Sequence, residues 1–315
     1  MKGRPITNMS GFFANGWIEK NLLEKFTAEG TDAHRVFSSR NAWIERLAGD
    51  FLISYKDSAD LNALCDDLQN WARFCNAPVQ RIFGRYLAIQ NNERLAPILI
   101  FGDANLPLQT DVMENNLRYG IDFSAGYSVG LFLDQRANRE FLAGVKPQRL
   151  LNTFSYTCSF SVVAASVGGH TISIDLSAKS LSRGKANFSL NNLSTEGHRF
   201  LADDALEVMP RMIRKMELFD AIILDPPTFS RGVKGRKFQV EKNMGDLLHL
   251  ALELAAPKAS ILISTNCTRL DLDSLDAIAR SEMRIAQRRA EFHRTLPLPD
   301  FPEGEGASTF WLLLE

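Results

Sequence analysis

Hydrophobic and polar positions along the chain fall into two regimes. Between about residues 35 and 110, short strand-like runs surround one amphipathic segment. Trp43 to Tyr55 (WIERLAGDFLISY) reads as a hairpin: Ile44 and Leu47 lead into Gly49-Asp50, and Phe51-Leu52-Ile53 lead out. Ser58 is placed to cap a helix in which Leu61, Leu64, Cys65, Leu68, Trp71 and Ala72 recur at helical spacing. A second pair of strand candidates follows, RIFGRYLAIQ and PILIFGD. Residues 1–112 are therefore expected to form a small α+β domain. The aromatic-rich first 30 residues carry no pattern that assigns an element.

From about residue 148 the rhythm becomes strand, turn, helix, repeated. RLLNTFS is a buried strand; SFSVVAASV is a helix ended by Gly168-Gly169; HTISIDLS is a second strand. Ser177 caps a helix through SLSRGKANFSLNNL, and HRFLADDA is a third strand. FDAIILD, helix VEKNMGDLLHLALELAA and ASILISTN continue the alternation, and AEFHRTLP and STFWLLLE close it. Apolar runs alternating with helices predict parallel βαβ units, hence an α/β, doubly wound sheet covered on both faces.

Composition narrows the classes. At 315 residues, with 45% hydrophobic and 23% charged positions, the chain has the make-up of a soluble globular protein of one or two domains. No apolar run approaches the roughly 18 residues of a membrane span. The N-terminal MKGRPITNMSGFF lacks a signal-peptide core, so a cytoplasmic protein without a membrane partner is expected. Cys65, Cys75, Cys158 and Cys267 are scattered without a CxxC pair, which argues against a disulfide framework or a bound metal. The net charge of −1 means that any nucleic-acid contact must come from a local patch. Nothing in the pattern sets the oligomeric state; a homodimer stays open.

In an open α/β sheet, ligands bind outside the carboxyl ends of the strands, near the point where strand order reverses. The first strand there ends in Phe154-Ser155-Tyr156-Thr157-Cys158, a turn whose amides can receive a polar group. It lacks GxGxxG, which weakens a nicotinamide or flavin reading. Asp175 stands 19 residues after Tyr156, at the end of the second strand, where a carboxylate can accept both hydroxyls of a ribose; capping the next helix is its plainer alternative. Asp203 and Asp204 end the third strand. One of them is expected to meet an adenine amino group, with Asp204 favoured. Asp225-Pro226-Pro227-Thr228-Phe229 ends the fourth, a rigid polar loop that suits a planar substrate group, or simply a structural turn.

FSYTCSFSVVAA, SIDLS, FLADDALE and FDAIILDPPTFS, in this order, resemble the class I S-adenosylmethionine (SAM)-dependent methyltransferases. Among these the likeness is to bacterial 23S ribosomal RNA methyltransferases acting on cytosine C5 or guanine N7. GLFLDQR followed by Asn138-Arg139 resembles the helix that precedes the first strand in that group. The resemblance covers residues 113–270 well and the last 45 more loosely. It implies a Rossmann-like, seven-stranded catalytic domain over residues 113–315, SAM as cofactor and RNA, ribosomal RNA first, as partner. It places Asp134, Gln135 and Arg136 beside the methionine end of SAM. Phe154, Ser155, Tyr156 and Thr157 follow along methionine and ribose, Asp175 and Leu176 lie at the ribose, and Asp204 and Ala205 at the adenine. Asp225 and Pro226 belong near the methyl group, with Pro227 and Phe229 toward the acceptor base. One position departs: relatives read FSYTGSF, and Cys158 here replaces their glycine, so a side chain must fit the turn at whatever φ it demands.

Two further readings concern the acceptor. Cys267 aligns with the cysteine of the cytosine-C5 relatives, where a thiolate adds to C6 before C5 can attack a methyl donor. The inert alternative is a buried strand-end cysteine. DPPTFS, FQVEKN and STNCTRLDLD resemble instead the guanine-N7 relatives, in which a ring lone pair needs no covalent help. Arg231, Lys234, Arg236, Lys237 and Lys242 follow DPPTFS and offer phosphate contacts at the mouth of the acceptor site, or only a solvated loop. An inactive RNA-binding module and a methyltransferase for a non-RNA acceptor remain as alternatives.

Overall fold

The structure is a computed structural model, and it describes residues 15–89, 94–231 and 237–315. The chain forms two compact units. The first spans residues 1–133 and is joined by 297–305; the second spans 134–296 and 306–315.

The first unit holds α1 (Lys20–Ala28) and the strands β1 (Ala33–Ser38), β2 (Ala42–Leu47) and β3 (Asp50–Tyr55). After them come α2 (Leu61–Cys75), β4 (Arg81–Tyr86), β5 (Ile98–Phe101), β6 (Gln109–Glu114) and β7 (Leu117–Asp122). β1 to β5 form one sheet in chain order. The expected hairpin is β2–β3, and the helix that links β3 to its parallel neighbour β4 is the expected amphipathic one. Leu64, Cys65, Leu68, Trp71 and Ala72 are its buried stripe. Its lead-in differs from the sequence reading: Asp57, not Ser58, supplies the cap, accepting the Ala59 N–H at 3.0 Å ahead of a short 3-10 turn. Asp50 and Arg81 face each other across β3 and β4 and form a buried bidentate pair at 2.9 and 2.6 Å.

The domain boundary expected at 112/113 is wrong; it lies at 133/134. The reason is the β6–β7 hairpin, which belongs to the first unit. Met113 N donates to the Asp32 carboxylate at 2.6 Å, Asp32 N donates back to Met113 O at 2.9 Å, and Asn115 N donates to Thr31 Oγ1 at 2.9 Å.

The second unit contains α3 (Arg136–Val145), β8 (Arg149–Thr153), α4 (Ser159–Ser166), β9 (His170–Asp175), α5 (Ala178–Leu190), β10 (Arg199–Ala202), α6 (Ala205–Arg214) and β11 (Phe219–Leu224). It continues through β12 (Phe229–Arg231), β13 (Lys237–Gln239), α7 (Val240–Leu254), β14 (Ala255–Thr265), α8 (Leu272–Ile285), β15 (Ala290–His293) and β16 (Ser308–Leu314). Seven strands make one sheet in the order β10-β9-β8-β11-β14-β16-β15. The first five are parallel; β16 inserts antiparallel between β14 and β15. This is the doubly wound α/β sheet that the alternation predicts. β8, β11 and β14 are central, which is why LLNT, AIIL and ILIS read as unbroken apolar or small runs. The Asp220 carboxylate accepts the amides of Gln148 and Arg149, both at 2.8 Å, and so pins β8 against β11 at the far end. Strand order reverses between β8 and β11, so the switch point lies where Thr153 and Leu224 end. Among the described residues, no helix is long and apolar enough to cross a membrane.

Candidate active site

Three backbone features shape the turn after β8. Phe154, Tyr156 and Cys158 alternate in the left-handed region, at φ +52°, +45° and +60°. Such residues cost about 1 kcal/mol each unless their surroundings hold them. Here the surroundings do. Ser155 N donates to Ile174 O at 2.9 Å, Cys158 N to Ser155 O at 2.7 Å, and Asn187 Nδ2 of α5 to Thr157 O at 2.9 Å. Ser155 and Thr157 are buried in the turn. Tyr156 N donates to Asp175 Oδ2 at 2.8 Å, and Ser177 N donates to Oδ1 at 2.8 Å. One N–H on each oxygen fixes the carboxylate plane, and each oxygen keeps a second lone pair for a donor such as a ribose hydroxyl. The capping alternative falls to Ser177, whose hydroxyl accepts the Ser180 amide at 3.1 Å.

Cys158 occupies the glycine position without entering the turn. It is the N-cap residue of α4 and is completely buried, with its thiol against Gly184 of α5 and 3.8 Å from Ser155 Oγ. Burial pushes the thiol up to about 11, against weaker opposing hydrogen bonds with Ser173 and Ser155, so it is an inert packing group. A Cβ added at Gly184 would stand 2.4 Å from the sulfur. Gly184→Ala is therefore expected to lower stability by about 1–3 kcal/mol through overpacking. Adding Cys158→Gly should recover most of that loss, and urea denaturation of the single and double variants measures the coupling.

The other strand ends complete the rim. Leu176, beside Asp175, is an exposed apolar side chain on which a flat ring can rest. Asp204 is the N-cap of α6 and accepts the Leu206 N–H at 3.0 Å, while Asp203 pairs with Arg211 at 2.9 Å. Of the two, Asp204 is thus set between strand and helix with Ala205 buried behind it, and Asp203 faces outward. Asp225 ends β11 at the switch point. Pro226 is buried beneath it; Pro227, Thr228 and Phe229 are exposed and lead into the β12–β13 hairpin. Lys234, Arg236 and the Arg231 side chain lie outside the described residues, so the expected basic mouth is represented by Lys237 and Lys242, both exposed.

The Asp225 carboxyl is raised from its ordinary value to about 6. Burial is the main cause; Asp134 adds to it, and a hydrogen bond from Ser264 and the charge of Arg139 oppose it. The resemblance places Asp134 beside the methionine end of SAM; here its charge is among those that act on Asp225. Gln135 and Arg136, expected there too, are both buried, and Gln135 Nε2 donates to Ser264 Oγ at 2.8 Å. The sequence reading gives Ser264, Asn138 and Arg139 no role in the site. The available signal was the polar Asn138 and Arg139 on the inward face of α3, where apolar residues would be expected.

Cys267 sits apart. It is buried in the core cluster around α7, its thiol donates to Glu241 Oε1 at 3.3 Å, and Arg269 pairs with the same carboxylate oxygen at 2.8 Å.

The rim suits SAM: a pinned carboxylate at the end of β9 that can accept ribose hydroxyls, an apolar ledge beside it, and acidic residues at the ends of β10 and β11. Comparisons with known proteins agree. A model of the S-adenosylmethionine-dependent methyltransferase family matches residues 42–314. Ribosomal RNA large subunit methyltransferase I of Tolumonas auensis is 34% identical over 232 residues, 69% of this chain and 57% of that one. Ribosomal RNA large subunit methyltransferase K/L of Shewanella sp. (strain MR-4) is 30% identical over 210 residues, 65% of this chain and 29% of that one. The chain thus matches from under a third to somewhat over half of the length of these relatives. In fold it is similar to the crystal structure of SMU.776 complexed with SAH (TM-score 0.79, 23% identity, 94% of this chain and 78% of that one). It is also similar to a SAM-dependent methyltransferase from Agrobacterium tumefaciens (TM-score 0.71, 22% identity, 90% of each chain). With the family model matched along most of its length and the rim built to suit the cofactor, the chain belongs to the S-adenosylmethionine-dependent methyltransferase family.

Proposed function

We propose that this protein methylates a base of large-subunit ribosomal RNA, with Asp225 holding the acceptor. The observation that carries the reading is the position of Asp225: a half-buried residue at the switch point, on a double-proline loop, next to the turn pinned by Asp175. The relatives named as ribosomal RNA methyltransferases supply the substrate class. SAM, when bound, supplies a methyl group activated by a sulfonium. Asp225 accepts an N–H from the edge of the base and sets the ring in line with that methyl. Pro226 and Pro227 limit the loop's freedom, and the exposed Phe229 ring offers a stacking surface. Lys237, Lys242 and the neighbouring Arg231, Lys234 and Arg236 supply phosphate contacts.

Between the two acceptor atoms, the surroundings of Cys267 favour guanine N7. A nucleophile for C6 of cytosine must reach the ring, whereas this sulfur is buried and its proton is directed at Glu241. Guanine N7 brings its own lone pair, and positioning suffices. Cys267→Ala is accordingly expected to keep methyl transfer within about threefold of wild type, against the near-complete loss that removing a covalent nucleophile produces.

The test of the function is transfer from labelled SAM to ribosomal RNA from cells lacking the protein, with the product nucleoside identified by mass spectrometry. Labelled 7-methylguanine supports the full reading, and 5-methylcytosine moves the acceptor to the alternative atom. SAM binding by calorimetry without any transfer to RNA would point to an inactive RNA-binding module or a different acceptor. Binding of NAD in place of SAM would return the oxidoreductase class.

A further inference from the structure

A line of buried polar side chains ends at Asp225. Trp311 Nε1 on β16 donates to Asn138 Oδ1 at 3.0 Å. Asn138 Nδ2 donates to Gln135 Oε1 at 2.8 Å and to Thr309 Oγ1 at 3.2 Å. Gln135 Nε2 donates to Ser264 Oγ at 2.8 Å, and Ser264 stands beside Asp225, since the two follow the paired Ile263 and Leu224 of β14 and β11. Trp311, Asn138, Gln135 and Ser264 are all 2% exposed or less.

The direction of this line follows from one residue. An indole N–H can only donate, so Asn138 must turn its oxygen to Trp311 and its nitrogen to Gln135. Gln135 must then offer its oxygen to Asn138 and its nitrogen to Ser264. Ser264 accepts from that amide, which leaves its own proton free for the neighbouring Asp225. Every bond is poled the same way. Burial keeps water from offering the amides another arrangement.

We infer that Trp311, Asn138 and Gln135 are positioning residues that act through Ser264 to keep Asp225 a hydrogen-bond acceptor aimed at the substrate edge. The inference adds to the proposed function and uses its assignment of Asp225 as the group that holds the base. Gln135, which the resemblance places at the methionine end of SAM, serves the acceptor side in this arrangement. The need is physical. Burial and the nearby Asp134 both favour the protonated carboxyl, which would donate where the base also donates. From the surrounding elements Arg139 of α3 and Ser264 of β14 work against them, and Asp134 of the preceding 3-10 turn works with burial. Without the poled line, Arg139 alone opposes burial.

The carboxyl titration of Asp225 tests this in the unliganded protein, by NMR of 13C-labelled aspartate with the signal assigned through its loss in Asp225→Asn. Ser264→Ala should move the midpoint up by about one pH unit, and Trp311→Phe, which removes only the donor that sets the direction, by about half a unit. At pH 6 the Trp311→Phe enzyme should transfer methyl about threefold more slowly with unchanged SAM affinity. Phe310→Leu is the control: it opens the neighbouring core and lowers stability without moving the midpoint. If Trp311→Phe does not fold, Gln135→Met, which removes the donor to Ser264, is expected to shift the midpoint in the same direction. A midpoint that moves in Ser264→Ala but stays at the wild-type value in Trp311→Phe, or in Gln135→Met where that variant stands in, overturns the inference. Wild-type protein that methylates no RNA while the midpoint still shifts as stated leaves the relay standing and removes the base-holding role.

Discussion

Asp225→Asn is expected to abolish methyl transfer and, at pH 8, to make the protein more stable than wild type. The activity side follows from what an amide presents. A charge-assisted hydrogen bond is worth about 1.5–3 kcal/mol, and a side-chain nitrogen turned toward a donor on the base is repulsive, so a loss of about 100-fold or more in kcat/KM is expected. SAM affinity should change little, because Asp175 and the turn after β8 are untouched. The stability side follows from linkage. Asp225 has a folded value of about 6, above its ordinary value of 3.8. Between those two pH values the folded protein holds a proton that the unfolded chain has lost, so stability falls as pH rises from about 4 to about 6 and does not return above it. The full difference corresponds to about 3 kcal/mol, and partial exposure of the side chain reduces it to about 1–2 kcal/mol. Asparagine carries no such burden. Urea midpoints at pH 4 and pH 8 should therefore diverge for wild type more than for the variant, with the variant ahead at pH 8. Loss of SAM binding in step with loss of turnover would place Asp225 on the cofactor instead.

That opposition between activity and stability explains why the site could be located before its chemistry could be read. The parallel core was legible because β8, β11 and β14 are covered on both faces and their residues form apolar runs. Their ends are legible because polar residues there interrupt those runs: Tyr156, Asp175, the Asp203-Asp204 pair and Asp225 each stand where an apolar run stops. The residues that govern Asp225 are not legible, since Ser264 and Trp311 are brought to it by strand order, and nothing local in STN or TFWLL points across the sheet. Cys158 shows the same limit at short range. Its substitution for glycine was visible, but the direction of its side chain depends on a φ of +60° and on the gap left by Gly184 in another helix.

The first unit is less legible in the sequence, for different reasons. β6 and β7 are joined by Asn115-Asn116, both with positive φ, which is a two-residue hairpin turn flanked by alternating QTDVME and LRYGID. This hairpin carries the first unit past residue 112, to the division at 133/134. α1 has a sparse stripe of Leu22, Leu23 and Phe26, and its N-cap residue, Glu19, makes no side-chain capping bond, so no start signal marks it.

Asp175→Ala is expected to weaken SAM binding by about 100-fold or more, through two losses that add. The direct one is the pair of ribose hydroxyls, each donating to a carboxylate oxygen; even one such bond is worth about 1.5–3 kcal/mol. The indirect one is preorganisation. Tyr156 and Ser177 N–H groups lose their acceptor, and Tyr156, at φ +45°, is held in a conformation that its side chain does not favour. Freed from Asp175, the turn can relax toward ordinary backbone angles, and SAM must then bear the cost of restoring it. The two losses can be separated by ligand. 5′-Deoxy-5′-methylthioadenosine keeps the ribose and adenine but lacks the amino acid arm, whereas its 2′,3′-dideoxy analogue removes the hydroxyl contribution while still requiring a formed turn. Calorimetry should show Asp175→Ala weakening the methylthioadenosine complex by the full factor and the dideoxy complex by only the part due to the turn. Equal affinities of wild type and variant for methylthioadenosine would remove Asp175 from the ribose, and with it the placement of SAM along the rim between β8 and β10.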